Sequence, residues 1–222
     1  MKTLIIIPAF NEEKNLPTLI EDIKSYGYDY LIINDCSTDN TLSMASDNKY
    51  NILNLPVNMG IAGVTRIGFM YAYDNDYDCV VSVDGDGQHQ PSYIHGLIKE
   101  IENGYDYVVG SRFIDEEKPF SLRMIGSRML CFLIKIKTGK TVTDPTSGMR
   151  AVGKKVVLEF SKGMNFFAEP DALCYLIKRG FNTKEIQVTM EERKEGTSYF
   201  MNPFKSLKYM IEVIISILLI QR

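Results

Sequence analysis

The feature that most constrains this chain is a rhythm of short apolar runs, each followed by a polar turn and then by helical periodicity. Leu4–Pro8, Tyr30–Asn34, Ile52–Leu55, Cys79–Val83 and Tyr105–Gly110 have the length and bounding residues of buried strands. Between them, Glu12–Tyr26 sets Leu16, Leu19, Ile20 and Ile23 on one helical face, and Ser37–Asp47 opens on capping residues. Gly60–Tyr73 has a glycine-rich helix entrance, and Pro91–Asn103 begins with proline, as helices often do. Strands and helices alternating at this spacing predict an α/β fold, a mainly parallel sheet with helices on both faces. Ligands of such sheets sit beyond the carboxyl ends of the strands, so the polar segments there are where chemistry is to be sought.

A length of 222 residues suits about one domain, and 45% apolar with 24% charged residues excludes a disordered or collagen-like chain. The formal charge of −3 argues against a uniformly basic nucleic-acid binder, so no nucleic acid is expected as partner. Cys36, Cys79, Cys131 and Cys174 are scattered without a CxxC pair, which points away from a disulfide framework or zinc site and toward a reducing compartment. Leu4–Pro8 is too short for the apolar core of a signal peptide, and no run reaches the roughly 18 to 20 apolar residues that span a bilayer.

Two carboxylates follow the fourth strand in Val83-Asp84-Gly85-Asp86-Gly87-Gln88-His89. Spaced by one residue at a strand end, they can face the same side, and the glycines permit the sharp path that brings them together. Such hard oxygen ligands, with the Gln88 carbonyl, suit Mg²⁺ or Mn²⁺ holding a diphosphate; a polar turn capping the next helix is the plainer alternative. Asn34-Asp35-Cys36-Ser37-Thr38-Asp39 places a second carboxylate after a strand, able to accept from a base or ribose, with helix capping by Ser37 or Asp39 as a compatible role. Asn58-Met59-Gly60-Ile61-Ala62-Gly63 lets backbone N–H groups approach an anion or base. Arg112 and Arg193 lie in polar segments, where a guanidinium suits phosphate oxygens or serves as a solvated charge.

From Lys118 to Thr143 the chain carries Lys118, Arg123, Arg128, Lys135, Lys137 and Lys140 without one Asp or Glu, interleaved with Met, Ile, Leu and Phe. That pattern suits an anionic membrane surface better than an ordinary core helix with a solvated face. The tail from Ser206 is similarly apolar, and reads as a second interfacial helix, a contact between copies in a homo-oligomer, or the stub of an anchor.

Taken together, Ile6-Ile7-Pro8-Ala9-Phe10-Asn11-Glu12-Glu13, the Asn34–Asp39 segment and Asp84-x-Asp86-Gly87-Gln88-His89-x-Pro91 stand in the order and spacing of family 2 glycosyltransferases. Gly110-Ser111-Arg112, Asp144-Pro145-Thr146-Ser147-Gly148 and Arg193-x-x-Gly196-x-Ser198 resemble the dolichol-phosphate mannosyltransferase and polyprenyl-phosphate glycosyltransferase branch. The resemblance implies a GT-A (Rossmann-like) fold, with residues 1–200 as the catalytic domain and 201–222 as an apolar helix, membrane-associated or an oligomer contact. It implies that Pro8, Phe10, Glu12, Asp35 and Gly60 bind the nucleotide sugar with Asp84, and that Asp84, Asp86 and Gln88 hold the divalent metal and diphosphate. Arg112 and Arg193 would neutralise donor and acceptor phosphates, and Arg123, Ser127 and Arg128 would meet a lipid phosphate. Asp144 is left open as a base, an orienting group or a loop cap. Departures from the family pattern are Asn34 for a frequent Asp, Cys36 for a usual Gly and Ile61 for a frequent basic residue.

The implied reaction is inverting transfer of a hexose from a nucleotide diphosphosugar to polyprenyl (undecaprenyl) phosphate, making a lipid-linked donor for cell-envelope glycan. UDP-Glc or UDP-GlcNAc is favoured and GDP-Man follows. The expected location is peripheral, on the cytoplasmic face of the membrane. The alternative is transfer to a saccharide hydroxyl in polysaccharide synthesis; relatives of that kind usually carry Gln-x-x-Arg-Trp, and this chain has no Trp. A third possibility, a non-catalytic nucleotide-sugar binding module, is opposed by the intact Asp84, Asp86 and Gln88 set with both arginines.

Overall fold

Leu4, Ile5, Ile6 and Ile7 are all shut off from solvent, so the strand that carries them needs cover on both faces and partners on both edges. In the computed structural model, which describes residues 1–163, 169–191 and 203–220, that strand is β1 (Thr3–Ala9), an interior strand of a seven-stranded sheet. The others are β2 (Asp29–Asn34), β3 (Ile52–Asn54), β4 (Cys79–Ser82), β5 (Tyr107–Ser111), β6 (Arg150–Gly153) and β7 (Thr183–Gln187). The order across the sheet is β3-β2-β1-β4-β6-β5-β7.

β1 pairs in parallel with both β2 and β4, Ile5 standing opposite Tyr30 on one side and Val81 on the other. β5 and β7 are also parallel, whereas β6 runs antiparallel between β4 and β5. The mainly parallel sheet is as the sequence predicts. The inserted β6 is a departure, since four residues beginning with an arginine show no strand pattern. Its reversal brings the segment before it, residues 144–149, to the edge where β1, β2, β4 and β5 end.

Helices α1 (Leu16–Ser25), α2 (Thr41–Asp47) and α4 (Ile94–Glu102, after a 3₁₀ turn at Pro91–Tyr93) accompany one half of the core. There Ile5 and Ile7 pack with Leu16, Ile20, Ile23, Leu97 and Ile98. The opposite half gathers α3 (Gly60–Asp74), α5 (Leu122–Thr138), α6 (Lys154–Lys162), α7 (Glu169–Lys178) and α8 (Pro203–Ile215). Ile6 lies there with Phe69 and Phe160, whose rings are 5.3 Å apart. A π-helical turn at Ser216–Ile220 continues α8, and Val213 and Ile217 are fully buried in this second half. The tail is thus fastened to the rest of the fold, with Met210 lying over Gly126 of α5.

Two helices start later than periodicity predicts. α1 begins at Leu16 because the Glu12 carbonyl takes the N–H groups of Asn15 and Leu16 in a preceding turn. α2 begins at Thr41 because Asp39 accepts both the N–H and the hydroxyl of Thr41, holding residues 37–40 outside the helix. Among the described residues no helix is long and apolar enough to cross a membrane.

Candidate active site

After β4 the chain turns sharply beneath the end of β1. The N–H of Gly85 donates to the Pro8 carbonyl, and a Cβ at Gly85 would stand 2.9 Å from that same oxygen, so only glycine allows this approach. Asp84 and Asp86 emerge on either side of it. Asp86 Oδ1 accepts the N–H of Gln88 at 3.1 Å. The N–H of Asp84 donates to His89 Nδ1 at 2.9 Å, which places the neutral ring's own proton on Nε2, 3.7 Å from Asp84 Oδ2. Burial pushes the His89 pKa down to about 4, with Asp86 opposing and Arg150 and Arg112 adding to the fall, so the ring is neutral near pH 7.

Gln88 is joined to a segment distant in sequence. Its side-chain amide donates to the Glu191 carbonyl and its own carbonyl accepts the Glu191 N–H, beside a bridge between His89 and Met190. Gln88 therefore ties the acidic loop to the segment after β7. Arg193, expected at the phosphates, lies outside the described residues.

At the ends of β1 and β2 the two polar segments interlock. Asn11 has a left-handed backbone (φ 59°), and its side-chain carbonyl accepts the N–H of Thr38 at 2.8 Å. Glu12 is buried; its N–H donates to Thr41 Oγ1 and its carboxylate accepts from Asn15. Pro8 is half-buried at the strand end and Phe10 is exposed. Asp35 is 5% exposed, and its two oxygens accept the N–H groups of Met59 and Gly60 at 2.6 and 2.9 Å. This differs from a carboxylate reaching for base or ribose: Asp35 braces the entrance of α3, and Gly60 meets it there. Cys36 also has a left-handed backbone (φ 59°), the physical reason why glycine suits that position.

β5 ends at Ser111, and Arg112 follows. Its Nε and Nη2 donate to Asp144 Oδ2 and Oδ1 at 2.7 and 2.9 Å, a two-pronged pair with a carboxylate that is fully buried. Glu185 on β7 accepts the N–H groups of Thr143 and Asp144 at 2.7 and 2.8 Å, fixing the backbone that carries that carboxylate. Arg123, in the first turn of α5, is exposed, and its pKa lies below the ordinary value through partial desolvation and the like charge of Arg112, with Asp144 opposing. It is thus within electrostatic reach of the Arg112–Asp144 pair.

The other two members of the expected acceptor set are engaged locally. Ser127 is buried and its hydroxyl accepts from Lys118 Nζ at 2.7 Å. Arg128 donates to the carbonyl oxygens of Lys118 and Pro119. Both residues fasten the approach to α5, whereas Arg123 is exposed within electrostatic reach of Arg112.

Asp84 and Asp86 offer hard anionic oxygens, and among the described residues no three His, Cys, Asp or Glu side chains converge as a metal cage. That donor set fits a Mg²⁺ or Mn²⁺ ion that takes its remaining ligands from phosphate oxygens and water, as such ions do on one or two carboxylates. Four participants escaped the sequence reading: His89, Glu185, Arg150 and the backbone of Glu191. His89 lay inside a quoted motif without a role, while the others carry no local signal and act through contacts distant in sequence.

The sequence profile described as Glycosyl transferase family 2 matches residues 4–160. A UDP-N-acetylglucosamine–dolichyl-phosphate N-acetylglucosaminyltransferase of Methanococcus voltae is 32% identical over 210 residues, 83% of this chain and 83% of that protein. An undecaprenyl-phosphate mannosyltransferase of Micrococcus luteus is 29% identical over 89% of this chain and 87% of its own length. The fold is that of glucosyl-3-phosphoglycerate synthase from Mycobacterium tuberculosis, crystallised with Mn²⁺, UDP-glucose and phosphoglyceric acid. The superposition covers 98% of this chain and 78% of that one at a TM-score of 0.73 and 18% identity.

Proposed function

The chain belongs to glycosyl transferase family 2, and on that premise we propose that it transfers a hexose from a nucleotide diphosphosugar to a polyprenyl phosphate at a membrane surface. One observation carries the acceptor: α5 turns two different faces to its surroundings. Its first turn carries Arg123, an exposed guanidinium within electrostatic reach of Arg112 and Asp144. The same helix leaves Ile125, Met129, Phe132 and Ile136 exposed, the last two by 62% and 63%, in a row spaced as one helical face. Leu207, Ile211 and Ile215 form a parallel row on α8, and Phe120 stands 90% exposed before α5. A saccharide acceptor has no use for apolar rows of this extent, whereas a phosphate on an isoprenoid tail has use for both faces. The two relatives named above act on dolichyl and undecaprenyl phosphates according to their descriptions.

In this reading residues 1–200 form the catalytic unit, and 201–222 attach it to the membrane. Asp84 and Asp86 hold the donor's diphosphate through a divalent ion, whose contribution when bound is to offset charge on the departing nucleotide. Glu12, Pro8 and Phe10 border the nucleoside, with Asp35 and Gly60 shaping that wall from behind. The acceptor phosphate is already ionised near neutral pH, so it needs orientation and charge compensation more than a general base. Arg112 and Arg123 supply these, joined by Arg193. Asp144, with both oxygens on the Arg112 fork, acts as the group that aims this arginine. Attack from the phosphate oxygen, opposite the departing diphosphate, inverts the anomeric carbon.

For the donor, UDP-Glc or UDP-GlcNAc stands ahead of GDP-Man, and Mn²⁺ and Mg²⁺ are both suitable ions. Attachment is peripheral and on the cytoplasmic face, whose anionic lipids suit Lys135, Lys137 and Lys140 near the apolar row. A thermal-shift screen of these donors with Mn²⁺ selects the nucleotide sugar, because a bound ligand raises apparent stability. Radiolabelled sugar from that donor is then expected in an organic-extractable product when undecaprenyl phosphate is supplied. Label that stays in the aqueous phase on a saccharide would replace this reading with polysaccharide synthesis.

A further inference from the structure

Arg150 begins β6 and is 7% exposed, yet the chemistry above makes no use of it. Its Nε donates to the Gly148 carbonyl at 3.2 Å and its Nη2 to the Ser147 carbonyl at 3.1 Å. Nη1 meets the Tyr107 hydroxyl at 3.0 Å, and Nη2 also lies 2.9 Å from Glu169 Oε1 in the first turn of α7. Burial works against its charge, but Tyr107, Glu169 and Asp84 outweigh burial and hold the guanidinium above its ordinary pKa. A cation kept this firmly inside the fold needs an account of what it holds.

What it holds is the backbone directly behind the acidic loop. A Cβ at Gly148 would stand 2.6 Å from Asp84 Oδ2 and 3.0 Å from His89 Cε1, so the bare Cα of Gly148 forms the wall against which the Asp84 carboxylate rests. Asp84 is 37% exposed at its side chain, with His89 Nε2 3.7 Å from Oδ2, so the Gly148 wall is one of the contacts that limit its swing. The same stretch carries Asp144 at its other end. Ser147 Oγ donates to the Gly110 carbonyl at 2.6 Å, and Glu185 holds the N–H of Asp144. Glu185 also takes the N–H of Thr143, so the Asp144 end of the stretch is fixed at two points. At the Gly148 end Arg150 grips two consecutive carbonyls, and a planar fork with several donors is suited to gripping both at once.

We propose that Arg150 is a positioning residue for glycosyl transfer: by holding the carbonyls of Ser147 and Gly148 it fixes the Asp84 carboxylate for a divalent ion and its diphosphate. This rests on the reading of Asp84 and Asp86 as ligands of that ion. Glu169 and Tyr107 act one step further out, keeping the guanidinium in plane with the loop. The first turn of α7 also carries Asp171, whose Oδ2 accepts from Ser216 Oγ at 2.6 Å with both residues fully buried. The wall behind Asp84 is thereby braced through α7 against the C-terminal segment.

The test is Arg150→Lys, which keeps the charge and loses the fork, in the full chain, with Glu169→Gln and Asp86→Ala alongside. Folding is checked by circular dichroism melting. Binding of Mn²⁺ alone is read from loss of the free-ion EPR signal, and turnover is measured with the donor that the thermal-shift screen selects. Arg150→Lys is expected to weaken Mn²⁺ binding about tenfold and to lower kcat about 10²-fold, the scale of a displaced catalytic group, while the donor KM changes less than about threefold. A folded Arg150→Lys protein with wild-type Mn²⁺ binding and kcat overturns the proposal. If Arg150→Lys fails to fold, Glu169→Gln carries the test. Weaker Mn²⁺ binding there, seen as more of the free-ion signal remaining, supports the role of Arg150, and wild-type binding overturns it. Asp86→Ala keeps the two readings apart. Binding lost there but intact in Arg150→Lys removes the role of Arg150 alone, and binding intact in Asp86→Ala removes the metal loop itself.

Discussion

The acidic corner at the strand ends and the outer face of α5 and α8 are joined through Arg112 and Arg123, yet they are built on opposite principles. At the corner every functional side chain is held by a specific partner. Asp84 is held by the Gly148 wall and the His89 ring, Asp86 by the Gln88 N–H, and Asp144 by the Arg112 fork. On the helical face the residues share only a direction, set by the period of 3.6 residues per turn. Ile125, Met129, Phe132 and Ile136 are exposed along one face of α5. The difference teaches what each region recognises. A pinned constellation reads a ligand of defined shape and charge, while an apolar row reads a surface and tolerates substitution one residue at a time.

That contrast can be broken most directly at the corner. Asp86→Ala is expected to lower turnover by at least about 10³-fold, since transition-state charge would lose its main counterweight. Activity within a few-fold of wild type in the donor assay would show that the acidic loop is only a turn. Next in size is Arg112→Ala, for which kcat should fall about 10²-fold, the usual consequence of removing one electrostatic stabiliser. Arg112→Lys should recover little of that loss, because an ammonium cannot engage both oxygens of Asp144 as the fork does. Full recovery by lysine would make Arg112 a simple surface charge.

At the outer face the expected effects are smaller and fall on binding. Phe132→Ser with Ile136→Ser should weaken co-sedimentation with anionic liposomes about tenfold or more, because each side chain contributes of the order of 1 kcal/mol when it leaves water. The melting temperature should stay within a few degrees, as both side chains are already exposed in the folded chain. Unchanged sedimentation together with a shift toward monomer would assign the rows to a contact between copies instead. The smallest effect belongs to Cys36, whose left-handed backbone opposes any side chain. Cys36→Gly should stabilise the fold by about 1 kcal/mol, a rise of roughly 2–4 °C in Tm for a chain of this size. A drop in Tm would mean that the Cys36 side chain contributes more than its backbone costs.

The parts visible in the sequence share one property: their information is local. β1 is legible because a parallel strand buried on both faces must be apolar throughout, and Leu4–Ile7 is. Asp84 and Asp86 are legible because a strand end, two glycines and two carboxylates stand within a few residues of one another. The rows on α5 and α8 can be read from spacing alone. By contrast, β6 has four residues and opens on an arginine, so only its pairing with Cys79–Ser82 and Tyr107–Val109 makes it a strand. Asp35 shows itself as a carboxylate after β2, but nothing nearby tells that its oxygens go to Met59 and Gly60.

The sequence by itself determined the layered α/β class, the acidic loop after the fourth strand and the amphipathic character of residues 118–143. Each follows from backbone period, turn chemistry or residue type over a short window. Tertiary structure alone decided that Gly148 stands behind Asp84, that Asp144 meets Arg112, and that Arg150 grips the loop between them. It also decided that Arg128 of the basic stretch folds back onto the Lys118 carbonyl, while Arg123 stays exposed within electrostatic reach of Arg112. The physical reason is that a buried polar group must be paired, and its partner is set by which strand ends the sheet brings together. That meeting is a property of strand order, which no single segment contains.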